Sequence, residues 1–155
     1  MKGSAKVVEM LKNLLVGELT AADIYLLQAR MLGDLGYSKL AARLEHEAED
    51  ERLHSDLILK RLLFLEGRPQ MEKRGPIKIV ETALEMMELN LEAELATRDQ
   101  LRAGIKVCLE ENDPVTRGMI EKQLADTESD HLIWFETQVR VAKEIGVQRW
   151  LAENI

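Results

Sequence analysis

Cysteine is nearly missing from this chain: Cys108 stands alone among 155 residues. No intramolecular disulfide can form, and a reducing compartment fits better than an export route. Aromatic residues are scarce at 4%, and only three prolines occur, a composition that favours helices over a sheet. Long apolar runs are absent too. The opening MKGSAKVVEMLKNLL is broken by Lys6, Glu9 and Lys12, so it does not read as a signal peptide, and no segment reaches the length of a membrane span. Positive charge is in deficit, with a formal net charge of -7 and no basic tail. Such a chain repels nucleic-acid phosphates. The expectation is a soluble, cytoplasmic, all-α protein with neither a membrane nor a nucleic-acid partner.

What is present suffices for one core. Hydrophobic residues make up 46% of the chain, and a chain of this length buries roughly 70% of its unfolded surface as one domain, here residues 1–155. Prolines and glycines divide it into four long segments and a short tail. Gly33 and Gly36 close the first, and Ser38 is placed to cap the second. A longer connection runs from Glu66 to Pro76. Asn112 and Asp113 separate the third segment from the fourth, with Pro114 suited to a first helical position. Gly146 ends the fourth, and VQRWLAENI is the size of one short amphipathic helix.

Each long segment carries a stripe with the 3-4 alternation of a buried helix face, and charges interrupt every stripe. In the first, Val7, Leu11, Leu14, Ala22, Tyr25 and Ala29 surround Glu18. The second places Glu47, Glu51 and His54 between Leu44 and Ile58, the third places Glu94 between Leu91 and Leu101, and the fourth places Glu128 and His131 between Leu124 and Phe135. The third stripe begins at Val80. Two of only three histidines thus stand in Glu-x-x-His pairs. Measured from their turns, Glu18, Glu51 and His54 share one level of a first helical hairpin, and Glu94, Glu128 and His131 share one level of a second. The Glu-to-Glu separations are 33 residues from Glu18 to Glu51 and 34 from Glu94 to Glu128.

Four carboxylates in a bundle core cost several kcal/mol each unless something positive accompanies them. Two divalent cations balance that charge, and mixed carboxylate and imidazole ligands suit Fe²⁺ or Mn²⁺. The spacing gives Glu18 and His54 to one ion and Glu94 and His131 to the other, with Glu51 and Glu128 bridging. Neighbouring ferrous ions can pass two electrons to one O₂ or peroxide. The reaction class is ferroxidation.

One Glu on helices one and three with Glu-x-x-His on two and four is the ferritin-like di-iron pattern. The runs GELTAADIYLLQARM, HEAEDERLHSD, LFLEGRP and QLADTESDHLIWFETQ, with the opening MKG, make the chain similar to bacterioferritins over nearly its whole length. That resemblance implies a four-helix bundle with a long crossover between helices two and three and a short fifth helix near Trp150. It also implies a shell of 24 subunits built from dimers, ferroxidation by O₂ or H₂O₂ at a di-iron centre, a stored ferric mineral, and a reductant such as a ferredoxin for iron release. Further positions match family features: His46 and Asp50 an inner-surface iron site, Tyr25 an electron donor, Glu47 an iron shuttle, and Asp34 and Glu66 an entry pore. One position departs. Where haem-binding relatives carry a haem-ligating Met directly after the bridging Glu of helix two, this chain has Arg52, and a guanidinium offers iron no lone pair. Met31 and Met86 lie off that position. The expectation is a haem-free subunit that assembles alone or with a haem-bearing partner subunit; a di-iron peroxidase is the alternative.

Overall fold

In the computed structural model, which describes residues 1–155 throughout, four long helical rods and one short helix account for the regular structure. α1 spans Ala5–Asp34 and starts where Ser4 Oγ accepts a hydrogen bond from the Lys6 amide. α2 spans Ser38–Phe64. Ser38 does not cap α2 as the sequence suggested. The tight turn is closed by backbone bonds, Gly36 N to Gly33 O at 3.0 Å and Tyr37 N to Leu32 O at 2.9 Å, which leaves Tyr37 in the cap position and puts Ser38 in the first helical turn. Gly36 supplies the positive φ, +86°, that this closure needs.

The connection from α2 to α3 is longer than the sequence reading, covering residues 65–82. It climbs along α1: Gly3 N donates to Leu65 O, the Gly75 amide donates to Thr20 Oγ1, and Arg74 Nε donates to Asp23 at 2.7 Å. Val80 belongs to this strap and not to a helix. α3 spans Ala83–Glu110 and begins at a capping box in which Thr82 and Glu85 satisfy each other's backbone amides. The fourth rod is α4, Pro114–Asp126, a π-helical turn at Thr127–Leu132, and α5, Ile133–Ile145, running on without a break in helical dihedrals. Pro114 takes the first position as expected. Gly146, at φ +90°, ends the rod, and α6, Val147–Ala152, follows.

The strap returns the chain to the far end of the bundle, so α3 runs antiparallel to α1 and the fourth rod antiparallel to α3. Two apolar cores result. One contains Tyr25, Leu32, Leu40, Leu44, Met86, Phe135 and Trp150; the other contains Val7, Leu11, Ile58, Leu62, Leu101 and Ile120. Between them, at mid-height on all four rods, the buried residues turn polar: Glu18 on α1, Glu47 and Glu51 on α2, Asn90 and Glu94 on α3, and Gln123, Thr127 and His131 on the fourth rod. No helix is long and apolar enough to cross a membrane.

Candidate metal centre

The stripes that build the cores also aim the polar layer inward. Glu18, Glu51, Glu94 and His131 are each exposed by 3% or less, and the His54 side chain by 11%. Their ligand atoms fall into two groups, Glu18–Glu51–His54 and Glu51–Glu94–His131, each with all atoms within 4.8 Å of one another. Glu51 belongs to both. Its Oε2 lies 3.0 Å from His54 Nδ1 and its Oε1 lies 3.3 Å from His131 Nδ1, so one carboxylate spans two imidazoles whose ring centres are 6.1 Å apart. Glu18 Oε2 stands 3.8 Å from His54 Nδ1, and Glu94 Oε1 stands 3.4 Å from His131 Nδ1. Both imidazoles present the same nitrogen to the space between the carboxylates. That is the disposition of two adjacent cation sites with a shared ligand.

Glu128 is not brought into this cluster. Its side chain is 41% exposed and pairs with Arg102. The π-helical turn is the physical reason: a wider turn advances each residue by less than the α-helix's angle, so Glu128 and His131 no longer share a face as Glu51 and His54 do.

The electrostatics of the layer call for a cation. Burial pushes the Glu18 carboxyl well above the usual range, and the charges of Glu51 and Glu94 push the same way. Burial alone would lower the His131 imidazole, but hydrogen bonds to Glu51 and Glu94, with the charges of Glu94 and Glu47, outweigh it and raise it to about 11. The protonated imidazole supplies the positive charge that a divalent ion would bring. Glu47, wholly buried, sits 2.5 Å from Arg43 Nη2 and 3.2 Å from His131 Nε2, yet neither of its oxygens has a well-directed hydrogen bond. An imidazole with one nitrogen toward a metal position and the other on a carboxylate is oriented as metal-ligating histidines are. The donor set fits two hard divalent cations.

The surroundings assign the remaining residues. Tyr25 donates a hydrogen bond to Glu94 and stacks on Phe135 at 5.9 Å between ring centres; burial, then the Glu94 and Glu51 charges, hold its hydroxyl protonated. Gln123 donates to Glu18 and Asn90 to Gln28. Sequence reasoning missed Gln123, although it lies one turn before Thr127 on the inward face. His46 and Asp50 are neighbours, 3.3 Å apart, on the partly exposed face of α2, and Asp130 joins them. A cavity of about 530 Å³ leads from this face to His54 and His131, lined also by Asp50, Asp126 and Asp130. Asp34 and Glu66 stand exposed at opposite ends of the first hairpin, and Glu66 pairs with the amino terminus. Arg52 is on the exposed side of α2, bound to Glu49 at 2.9 Å. Met86 is buried in the upper core and Met31 packs against it.

The sequence pattern described as "ferritin-like domain" matches residues 8–145. The chain is 41% identical to a bacterial ferritin of Pseudomonas aeruginosa over 155 residues, the whole of both chains. It is 40% identical to a bacterial ferritin of Synechocystis over its full length and 99% of that protein. A bacterioferritin of Brucella melitensis is 33% identical over 150 residues, 97% of this chain and 92% of that one. A four-rod bundle with a long strap, a mid-height carboxylate and imidazole layer, and relatives matched end to end agree on one conclusion: this chain belongs to the ferritin family, beside the bacterial ferritins and bacterioferritins.

Proposed function

We propose that the polar layer is a ferroxidase centre, at which two Fe²⁺ ions are oxidised together before the ferric product is stored. The observation that carries this reading is the sharing of Glu51 between two imidazole and carboxylate groups. Adjacent ions held by one carboxylate can each give one electron to the same oxidant, so that 2 Fe²⁺, O₂ and two protons yield 2 Fe³⁺ and H₂O₂. With H₂O₂ as oxidant, 2 Fe²⁺ and two protons yield 2 Fe³⁺ and two waters. Hard carboxylate oxygens favour Fe³⁺ over Fe²⁺ and draw the reaction forward. Tyr25, hydrogen-bonded to Glu94, is placed to donate a further electron to the centre. The acidic cavity reaching His54 and His131, lined by Asp50 with His46 paired to it, is the passage by which iron moves between centre and surface.

Storage calls for an enclosed volume that one chain lacks, so the reading includes assembly into a hollow shell of 24 subunits built from dimers. Iron leaves on reduction by a partner such as a ferredoxin. With Arg52 where a haem-ligating Met would stand, the subunit is haem-free, alone or beside a haem-bearing subunit. The test adds Fe²⁺ aerobically to the purified protein while ferric absorbance and particle size are followed. Glu94→Ala or His131→Ala should slow oxidation by at least ~100-fold with particle size unchanged; unaltered kinetics would put the chemistry elsewhere. A Soret band in the pure protein would overturn the haem-free assignment.

A further inference from the structure

A second cavity approaches the polar layer from the opposite face of the bundle. The acidic one lies between α2 and the fourth rod; this one, of about 140 Å³, lies between α1 and α3 under the strap. Ala21 and Ile24 of α1 and Leu89 and Ala93 of α3 form its walls, and Pro76 and Lys78 of the strap stand at its mouth. Its floor is buried: Tyr25 is 2% exposed and Asn90 1%. Helical spacing sets its height. Ala21 is three residues past Glu18 and Asn90 is four before Glu94, so the cavity lies within one turn of two carboxylates of the layer. Tyr25 joins the two, because its ring lines the cavity and its hydroxyl donates to Glu94.

The lining rejects the charged reactant. An Fe²⁺ ion would lose hydration among apolar walls without gaining a carboxylate, and the one charged side chain of the lining is Lys78, of like sign. Water is poorly served too, since a held water needs roughly two to four polar partners. The Tyr25 hydroxyl is turned to Glu94, and the Asn90 amide donates to Gln28 at 2.6 Å. Dioxygen is small, uncharged and apolar, so its transfer from water to such walls is favourable. We propose that this cavity takes up O₂ and delivers it past Tyr25 to the ferrous pair, so that iron and oxidant reach the centre from opposite faces of the bundle. H₂O₂, whose hydroxyls need hydrogen bonds, enters with the iron by the acidic cavity. Ala21 and Ala93 determine this selectivity, because small side chains there keep the apolar cavity open. The inference rests on the ferroxidase reading above and adds the path of one reactant.

The experiment uses the whole assembly and follows ferric absorbance at saturating Fe²⁺ while dissolved O₂ is varied. Ala93 is exposed, so Ala93→Phe fills the mouth at little cost to folding, and Ala21→Leu narrows the cavity from the facing wall. Each should raise the half-saturating O₂ concentration by about fivefold or more and leave the rate at saturating O₂ unchanged, the mark of access rather than chemistry. Anaerobic oxidation by H₂O₂ should be unaltered in both. Xenon, an apolar probe, should lodge between Ala21, Ile24, Leu89 and Ala93 in crystals of the wild type and be lost from Ala93→Phe. An O₂ dependence equal to wild type in both variants, or xenon found only elsewhere, would overturn the path. So would equal slowing with O₂ and H₂O₂, which would place the effect on the centre itself. Oxidation by neither oxidant in wild type would instead remove the ferroxidase reading.

Discussion

His131 is the residue on which metal uptake and acidity meet. Its imidazole is held at about 11 because Glu51 and Glu94, with Glu47, outweigh the effect of burial, while Nδ1 must be free of its proton to bind a cation. Ion binding therefore expels a proton, and apparent affinity should rise with pH up to about that value. Anaerobic Fe²⁺ addition in weak buffer with an indicator dye measures the release; none at pH 7 would mean that His131 is already neutral. The linkage has a second face. A folded-state value above the unfolded 6.5 gives stability that is complete below 6.5 and lost as pH rises toward about 11. Glu18, also raised, acts with the same sign from 4.5 upward. Metal-free protein should thus melt at progressively lower temperature in alkaline buffer, and a melting curve independent of pH would contradict it. Tyr25→Phe removes the hydrogen bond to buried Glu94, which should destabilise the metal-free protein by about 1–3 kcal/mol and abolish any tyrosyl radical signal after O₂ is admitted.

Among the elements, the entry to α4 is the most firmly tied. Asp113 accepts from the Thr116 amide at 2.9 Å and from its hydroxyl at 2.6 Å, and Arg61 reaches both residues. Partial burial raises the Asp113 carboxyl, but the Thr116 bonds and the Arg61 charge outweigh that and hold it below its ordinary value. Asp113→Ala should cost about 1–2 kcal/mol in urea unfolding, and Asp113→Asn less. Because the folded value is depressed, this contribution is present above 3.8 and lost as pH falls through the folded value; a cost unchanged in acid would sink the assignment. Pro114 and the Asn112–Asp113 turn were legible in the sequence, as were the four stripes, since apolar spacing and turn residues are local signals. The cap of α2 was not, because backbone bonds rather than a side chain close that turn. Nor was the π-helical turn, although the separation of 34 residues in one hairpin against 33 in the other was its trace. Spacing assumes one helical pitch, and Glu128 is where that assumption fails.

At the scale of the molecule, the isolated chain leaves apolar surface uncovered. Sixteen large apolar side chains are exposed, among them Leu63 at 60% and Phe64 at 53%, consecutive at the end of α2, with Leu109 and Val115 at the α3–α4 turn of the same end. Exposed apolar surface of this extent at the tip of a bundle marks contact with other chains, and a closed shell covers such tips by symmetry. The proposed shell of 24 such subunits, each of 17.7 kDa, has a mass of roughly 425 kDa. Leu63→Glu with Phe64→Glu should leave the helical signal and the thermal stability of the subunit nearly unchanged, since neither side chain is buried within it. The same pair should shift the particle toward dimers or monomers in light scattering, because charges placed in a desolvated contact carry a penalty that the contact cannot meet. Ferroxidation should survive that dissociation, as each chain holds Glu18, Glu51, His54, Glu94 and His131 within itself. Retention of ferric iron in solution should not, because a mineral needs the enclosure. A double variant that still sediments as a full particle would move the assembly contact away from this tip, and one that loses ferroxidation on dissociation would show that a neighbouring subunit completes the centre.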